Sequence, residues 1–161
     1  MPTSDKLREQ LETRIQRLED MEAIRKLLAV YCSALDVWDI RTLETLFSRE
    51  ARLAVPTWNL EFQGREAIMR FFEEHSHSEW KDLRHYFANL AIEPAGSGYK
   101  SFAYFHETAS LGADSVIGWG TLEDVFTRED NAWKISSRII TVMALTPITK
   151  GWAGPDKVMA L

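Results

Sequence analysis

The chain has 161 residues and a mass of 18.5 kDa, a length that fits one domain rather than two. Hydrophobic residues make up 45% of it and charged residues 27%, a balance that excludes a disordered or collagen-like chain. The net charge of −5 argues against nucleic acid or an anionic membrane as the main partner, and no apolar run is long enough to span a membrane.

The first half of the chain has the pattern of helices with two short strands. Apolar residues recur every three or four positions from Leu7 to Asp36, without Gly or Pro, which predicts one long helix. Its first turns are so charged that we expect them to project from the domain or to pack on a partner subunit. The next predicted elements are a helix from its N-cap Asp39 to Phe47, a strand over 51–55 that Pro56 stops, a strand over 59–62, and a helix opened by Gly64.

From Asp82 onward the apolar pattern has a period of two, which is typical of strands. It predicts four long strands with hairpin-length separators, over 82–93, 100–111, 115–128 and 133–143. Helices followed by hairpin-linked strands indicate an α+β fold with an antiparallel sheet. We expect this sheet to curve around the long helix as a cone with one open, pocketed end. Residues 1–146 form the predicted domain, and the irregular tail over 147–161 is a lid, a subunit clasp or a loose end.

Familiar catalytic and metal-binding motifs are absent from the sequence. It has no glycine-rich nucleotide loop, no serine-hydrolase elbow and no pair of cysteines. The run Glu73–His77 looks like a metal cluster, but its two histidines do not share a helix face, so a solvated helix end is the better interpretation. We therefore expect no metal and no cofactor. The single cysteine, Cys32, and the lack of a signal-peptide pattern predict a cytoplasmic protein.

Two residues could form an acid–base pair, although each also has an ordinary structural interpretation. His85 shares strand parity with Leu83 and Phe87, so it should face an apolar interior, where an imidazole needs a partner. A hydrogen-bonded core histidine would fit the same pattern. Asp36 ends the long helix, where a carboxylate opposes the helix dipole unless another group compensates. It could also be a surface residue in the turn, and composition alone does not pair it with His85.

Several segments of the chain resemble the SnoaL-like branch of the nuclear-transport-factor-2-like superfamily. The matching segments are Ala23–Leu27, Tyr31–Asp36, Arg84-His85, Asn89-Leu90 and Asp130–Ile135, so the resemblance spans about residues 20–143. Within that branch the pattern is most similar to three groups of lyases: scytalone dehydratases, hexachlorocyclohexane dehydrochlorinases and bile-acid 7α-dehydratases. In these enzymes an aspartate at the end of the first helix orients a histidine on a central strand, and Asp36 and His85 occupy those positions.

The resemblance implies an elimination in which His85, polarised by Asp36, takes a C–H proton while a neighbouring group leaves. A base with a pKa near 7 would suit a neutral cytoplasm. Tyr31 matches a site tyrosine of the bile-acid enzymes and would assist the leaving group. The next strand offers His106 or Glu107, which face opposite sides. We favour His106 for the cavity because it shares parity with Tyr104.

The aromatic residues cluster in the second half of the sequence. They could form either a thick core of the sheet or a cavity lined with aromatic rings. Under the second, Phe87, Tyr104, Trp119 and Glu107 would contact a hydrophobic substrate, which could be aromatic or polycyclic. The resemblance also implies a homotrimer. It would be assembled through the outer face of the sheet, where Tyr86, Leu90 and Ile92 should form an apolar strip.

Three other functions are compatible with the same predicted fold. An isomerase or cyclase would use the same base. A non-catalytic small subunit of a ring-hydroxylating dioxygenase, or a simple ligand-binding module, would need no buried base. The pairing of Asp36 with His85 therefore disfavours the last two.

Overall fold

Three helices, a 3-10 turn and six strands make up the computed structural model, which describes residues 3–76 and 79–159. In chain order they are α1 (Ser4–Asp36), α2 (Ile40–Leu46), β1 (Phe47–Val55), the turn Pro56–Trp58, β2 (Leu60–Gln63), α3 (Arg65–Ser76), β3 (Trp80–Ala95), β4 (Gly98–Leu111), β5 (Asp114–Glu129) and β6 (Ala132–Pro147). Every predicted element is present. Two bounds differ from the prediction by four residues: β6 ends at Pro147, and β1 begins at Phe47, because that residue pairs with Ile135 of β6 instead of continuing α2.

The six strands form one curved, open sheet in the order β2-β1-β6-β5-β4-β3. The four long strands, β3 to β6, pair antiparallel with their chain neighbours, as predicted. The pairing of β1 with β6 is parallel, which the sequence did not predict. No hairpin joins these two strands, so no tight turn constrains their relative direction. The sheet curves around α1, and the expected α+β fold with a curved sheet around the long helix is confirmed.

The second half of α1 is the part that packs on the sheet. Residues 3–19 are exposed, whereas Ile24 and Leu28 are buried in the core. Where the buried half begins, the Asp20 carboxylate accepts a hydrogen bond from Trp133 Nε1 at 3.0 Å and one from the Tyr99 hydroxyl at 3.4 Å. The charged first turns therefore extend away from the domain. No helix in the described part of the chain is long and apolar enough to cross a membrane.

The C-terminal end of α1 is closed by two backbone hydrogen bonds that reverse the chain. The Trp38 amide donates to the Leu35 carbonyl at 3.1 Å and the Asp39 amide to the Ala34 carbonyl at 2.8 Å, which together form a Schellman motif. Trp38 adopts φ +54°, a left-handed conformation that glycine usually supplies. This closure ends the helix directly after Asp36, so the carboxylate of Asp36 lies at the helix terminus.

A bulge in β3 changes which side chains face the interior. Leu83, His85 and Phe87 point inward, but Asn89 adopts φ +54° and the pairing register with β4 shifts between Ala88 and Ala91. The extra residue reverses the parity of the strand after it. The expectation that Leu90 and Ile92 lie on the outer face is therefore wrong, because both pack in the core.

Asp124 of β5 and Arg138 of β6 form an ion pair inside the sheet's concave face. These cross-strand partners are 3% and 0% exposed, and the guanidinium donates to both carboxylate oxygens at 2.7 and 2.8 Å. Burial lowers the pKa of Arg138, but Asp124 and Tyr31 together raise it above its usual value, so Arg138 stays charged. The bidentate geometry satisfies Nε and Nη2 of the guanidinium, whereas the buried Nη1 has no hydrogen-bond partner among the described residues.

Replacement of Asp124 by Ala should destabilise the fold strongly, because it leaves the Arg138 charge buried without a partner. We expect the free energy of unfolding to fall by about 3–5 kcal/mol, measured by urea denaturation. The control is the double variant Asp124→Leu/Arg138→Met, which removes both charges and should recover most of the loss. A double variant as unstable as Asp124→Ala would show that the uncompensated charge is not the cause.

Candidate active site

A cavity of about 140 Å³ opens between α1, α3 and the concave face of the sheet. Its walls combine aliphatic side chains with many aromatic rings, among them those of Trp38, Trp58, Phe71, Phe72, Phe87 and Phe105. The side chains in the lining that carry titratable groups are Tyr31, His75, His85 and Glu107. Among the described residues, no lysine or arginine lines the cavity. The cavity is therefore an apolar space with a small number of proton-transferring groups, the usual composition of a small-molecule site.

Asp36 and His85 meet at this cavity although 49 residues separate them in sequence. The Asp36 Oδ1 atom lies 2.8 Å from His85 Nδ1 and accepts the His85 backbone amide at 2.9 Å. Since an ionised carboxylate only accepts, Nδ1 carries a proton and donates it to Asp36. The predicted contact between these two side chains is present, and it fixes both the tautomer and the orientation of the imidazole.

A second carboxylate contacts the other nitrogen of the same ring. Glu107 is the cross-strand partner of His85, and its Oε2 atom lies 3.1 Å from His85 Nε2. The side chains of His85, Asp36 and Glu107 are only 10%, 15% and 17% exposed, so solvent screens these contacts weakly. The imidazole of His85 is thus held between two carboxylates in an apolar cavity.

This arrangement determines the proton affinity of His85. Burial lowers the pKa of the imidazole, but the hydrogen bonds and negative charges of Asp36 and Glu107 outweigh burial and raise the pKa from 6.5 to about 9. The expectation of a base with a pKa near 7 is therefore wrong. It assumed one carboxylate partner, and the structure has two.

Tyr31 lies in the cavity floor above the buried ion pair. The guanidinium of Arg138 stacks on the Tyr31 ring, with Cζ 3.9 Å from the ring centroid, and the Phe87 ring stacks on Tyr31 at 6.4 Å. Burial raises the pKa of the Tyr31 hydroxyl more than the neighbouring Arg138 lowers it. The phenol therefore stays protonated at neutral pH and is a proton donor by character. Its placement in the cavity lining, like that of Phe87, agrees with the sequence-based expectation.

Three predicted site residues lie on the opposite face of the sheet. The expectation that His106 faces the cavity is wrong, because β4 presents its odd-numbered residues, Phe105 and Glu107, to the interior. His106 pairs with Tyr86 on the outer face, with ring centroids 6.0 Å apart. The parity shared with Tyr104 was correct, but it is the outward parity.

The expectation that Tyr104 and Trp119 line the cavity is also wrong. Tyr104 is 46% exposed on the outer face. Trp119 is the cross-strand partner of His106, and its ring packs against Trp152 of the C-terminal tail at 5.4 Å between centroids. Alternation along a strand separates the two faces but does not say which one is interior, and exposed aromatic residues made the outward face look apolar.

The tail after β6 is irregular but attached to the domain at its end. Val158 forms an isolated parallel bridge with Leu145, and the Met159 carbonyl accepts a hydrogen bond from Trp58 Nε1 at 2.9 Å. Trp58 and Leu145 both line the cavity. The last described residues of the tail therefore contact two residues of the cavity wall.

His75 is a cavity residue that the sequence pattern assigned to a solvated helix end. It occupies the last turn of α3, where its Nδ1 atom lies 2.8 Å from the Phe71 carbonyl and its ring packs on the Phe71 ring at 4.2 Å. Helical spacing from Ile68 and Phe72 could have indicated this inward side of α3.

No group of three or more potential metal ligands comes together in residues 3–76 and 79–159, and His77 lies outside them.

Cys32 and Arg138 complete the polar groups near the floor of the site. Burial raises the pKa of the Cys32 thiol to about 11, so this cysteine is not a thiolate at neutral pH.

The ion pair of Asp124 with Arg138 was not predicted from the sequence, although each charge interrupts the apolar inward parity of its strand. Two such interruptions on neighbouring strands indicate a buried ion pair.

These features define the protein as an α+β protein whose curved sheet and first helix enclose an apolar cavity around one buried histidine. Residues 16–139 match the model of the SnoaL-like domain, and the chain belongs to this family. A search among curated protein sequences finds no match.

Solved structures with the same fold include two hexachlorocyclohexane dehydrochlorinases. The type 2 enzyme has a TM-score of 0.77 at 19% identity, over 89% of this chain and 99% of that one. The type 3 enzyme from Novosphingobium barchaimii LL02 has a TM-score of 0.75 at 20% identity, over 83% and 93%. A provisionally named scytalone dehydratase from Novosphingobium aromaticivorans DSM 12444 has a TM-score of 0.74 at 20% identity, over 81% and 89%. At these identities the similarity shows the fold.

The raised pKa of His85 should make stability depend on pH. Because the folded protein binds this proton more tightly than the unfolded chain, the stabilisation is fully present below pH 6.5 and is lost as pH rises through about 9. The loss should be on the order of 3 kcal/mol, measured by chemical denaturation at a series of pH values. The variant His85→Gln should lack this part of the pH dependence. An equal decrease in the variant would contradict the assignment.

Proposed function

We propose that the protein is a lyase that works without a cofactor and eliminates a small leaving group from an uncharged, hydrophobic molecule. The observation that carries this proposal is the imidazole of His85, held between Asp36 and Glu107 in an apolar cavity. A buried, oriented histidine with carboxylate partners is a strong proton acceptor, and a core built only for stability would not require it.

His85 is the proposed base, and Asp36 is its orienting partner. Because Nδ1 donates to Asp36, the atom that accepts the substrate proton is Nε2, and the reactive form is the neutral imidazole. As the C–H bond breaks, its electron pair forms the new C=C bond and the leaving group departs with its own bonding pair. The proton ends on Nε2, and the imidazolium is stabilised by the charge of Asp36.

Glu107 is the proposed second partner of the base. Its carboxylate contacts Nε2 in the free protein, so a substrate must move it aside to bring a C–H group to that nitrogen. After proton transfer the carboxylate can receive a hydrogen bond from the newly formed N–H. Glu107 thus stabilises the charged product state of the base, and the same contact makes the neutral form rarer before substrate binds.

Tyr31 is the proposed proton donor to the leaving group. Its hydroxyl is protonated at neutral pH, and the residue belongs to the lining of the same cavity. If the leaving group is a hydroxyl, transfer of the Tyr31 proton releases water. The proton gained by His85 and the one lost by Tyr31 balance, and exchange with solvent after product release restores both groups. General acid–base assistance of this kind is typically worth about 10²–10⁴-fold per group.

The cavity favours a substrate whose reacting part is one uncharged ring. Its volume of about 140 Å³ is close to that of cavities that accept benzene. No cationic side chain among its described lining residues could pair with a carboxylate or phosphate, and two carboxylates already surround His85. Aromatic walls supply flat apolar contacts. The dehydrochlorinases and the scytalone dehydratase of the same fold support an elimination reaction.

The cluster at His85 also separates this proposal from the non-catalytic alternatives. Burying three titratable groups is costly, and a structural subunit or a binding module would have no use for them in proton transfer. An isomerase or cyclase would use the same base but release nothing. Incubation with hydroxylated and halogenated monocyclic compounds, followed by mass spectrometry, distinguishes these classes, because elimination lowers the mass and isomerisation leaves it unchanged.

With a substrate from this screen, His85→Ala should abolish turnover and Asp36→Asn should be nearly as damaging. The first change removes the base, and the second keeps the shape but removes the charge that holds the tautomer. Tyr31→Phe should lower the rate less and leave binding intact, because it removes only the proton donor. In the wild type, kcat/KM should rise with pH toward about 9, as the imidazole loses its proton.

Single-turnover kinetics on the three variants is the decisive measurement. His106→Ala is the matched control, since it removes a histidine from the adjacent strand on the outer face and should leave the rate unchanged. Wild-type rates in His85→Ala would contradict the proposed base. A normal rate for Tyr31→Phe would contradict only its role toward the leaving group.

We also propose that the protein forms a homotrimer through the outer face of the sheet. Large apolar side chains remain exposed there, among them Tyr86 at 55%, Tyr104 at 46% and Val125 at 44%. Sedimentation equilibrium at micromolar concentration should give three times the chain mass of 18.5 kDa. The variant Tyr104→Lys should lower that mass, whereas a wild-type mass of one chain would contradict the proposal.

A further inference from the structure

One row of paired residues crosses four strands at the level of the proposed base. His85 of β3 pairs with Glu107 of β4, Glu107 pairs with Gly118 of β5, and Gly118 pairs with Leu145 of β6. All four positions face the interior. Three of them carry a side chain, and the glycine carries none. Gly118 is therefore a gap in the cavity wall directly beside Glu107.

The side chain of Glu107 occupies this gap. A Cβ atom built on Gly118 would lie 2.6 Å from Glu107 Oε1 and 2.9 Å from Glu107 Cγ. Both distances are shorter than real contacts of a Cβ atom. Gly118 does not have a left-handed backbone, so the glycine is not required by its own conformation. The requirement for a missing side chain comes from its neighbours Glu107 and Leu145.

We propose that Gly118 is a positioning residue for the reaction: by leaving its side-chain space empty, it lets the carboxylate of Glu107 reach His85 Nε2 in the free protein. This inference rests on the proposed function for its catalytic meaning, and on the geometry of the row for its structural content. Gly118 touches neither the base nor the substrate. It acts only through Glu107.

A methyl group added at Gly118 would require the Glu107 side chain to move. The same Cβ atom would also lie 2.8 Å from Leu145 Cδ1, and because the backbone fixes its position it cannot turn away from Glu107. Because Cγ as well as Oε1 is too close, rotation of the terminal carboxylate alone is insufficient. The Glu107 side chain must therefore shift, and we expect this shift to break its contact with His85 Nε2.

The proton affinity of His85 reports this loss without any substrate. The titratable groups around His85 are Asp36, which contacts its Nδ1 atom, and the cavity residues Tyr31 from α1, His75 from α3 and Glu107 from β4. Of these, Gly118→Ala displaces Glu107 and leaves the contact of Asp36 with Nδ1 unchanged. Since Glu107 raises the pKa of His85, the displaced carboxylate should allow that pKa to fall from about 9.

The experiment is an NMR titration of the His85 ring in the wild type, Gly118→Ala and Glu107→Gln, with His85→Ala to assign the resonance. We expect the His85 midpoint to fall by about one pH unit or more in both variants. An unchanged or raised midpoint in Gly118→Ala, with a lowered one in Glu107→Gln, would overturn the role of Gly118. An unchanged midpoint in Glu107→Gln would instead contradict the contact on which the proposed function depends.

Leu145→Val is the matched control, since it removes the other close neighbour of Gly118 and leaves the space of Glu107 intact. Its His85 midpoint should equal that of the wild type. If Gly118→Ala does not fold, the double variant Gly118→Ala/Leu145→Val relieves the contact with Leu145 and keeps the conflict with Glu107. A wild-type midpoint in the folded double variant would overturn the proposal. In activity assays, Gly118→Ala should shift the alkaline rise of kcat/KM to lower pH.

Discussion

The hydrogen bonds between Asp36 and His85 are the interaction on which the rest of the site depends. A carboxylate at the C-terminus of a helix opposes the helix dipole, so Asp36 would be unfavourable there without compensation. His85 supplies two donors to one oxygen, its backbone amide and Nδ1. The backbone donor ties β3 to the end of α1, and the ring donor orients the imidazole. One carboxylate thus holds helix, strand and base in a common geometry.

This geometry in turn requires that α1 ends at one defined residue. The Schellman closure places Trp38 in a left-handed conformation, which costs more for tryptophan than for glycine. The Trp38 ring lines the cavity, so the same residue that terminates the helix also forms part of the wall. A glycine at this position would close the helix more easily but would remove that wall.

The architecture could be predicted from the sequence because it depends on the periodicity of apolar residues and on the lengths of the turns. The site followed only in part. Parity alone placed His85 inward correctly up to Phe87, but the bulge at Asn89 reversed it for Ile92. An asparagine in the middle of a strand was the available indication, since it tolerates a left-handed backbone.

The parity of β4 could not be decided without its partner strand. Tyr104 and His106 formed one plausible interior set, and Phe105 and Glu107 formed the other. The pairing of His85 with Glu107 decides between them, and this pairing is a property of register between strands. The raised pKa of His85 was missed for the same reason, because a second carboxylate beside the ring depends on that register.

The two carboxylates have two opposite effects on the reactivity of His85: they make the neutral imidazole rarer, and they make it a stronger base. With a pKa of about 9, only about one His85 in a hundred is neutral at pH 7, but each neutral imidazole is a stronger base than an ordinary histidine. Displacement of Glu107 by a substrate would change this balance, since the imidazole then loses one of the charges that favour its protonation. Arrival of an apolar molecule would thereby release the base in the cavity where it is needed. The protein would in this way keep His85 protonated while the site is empty, and the position of Glu107 would couple binding to basicity.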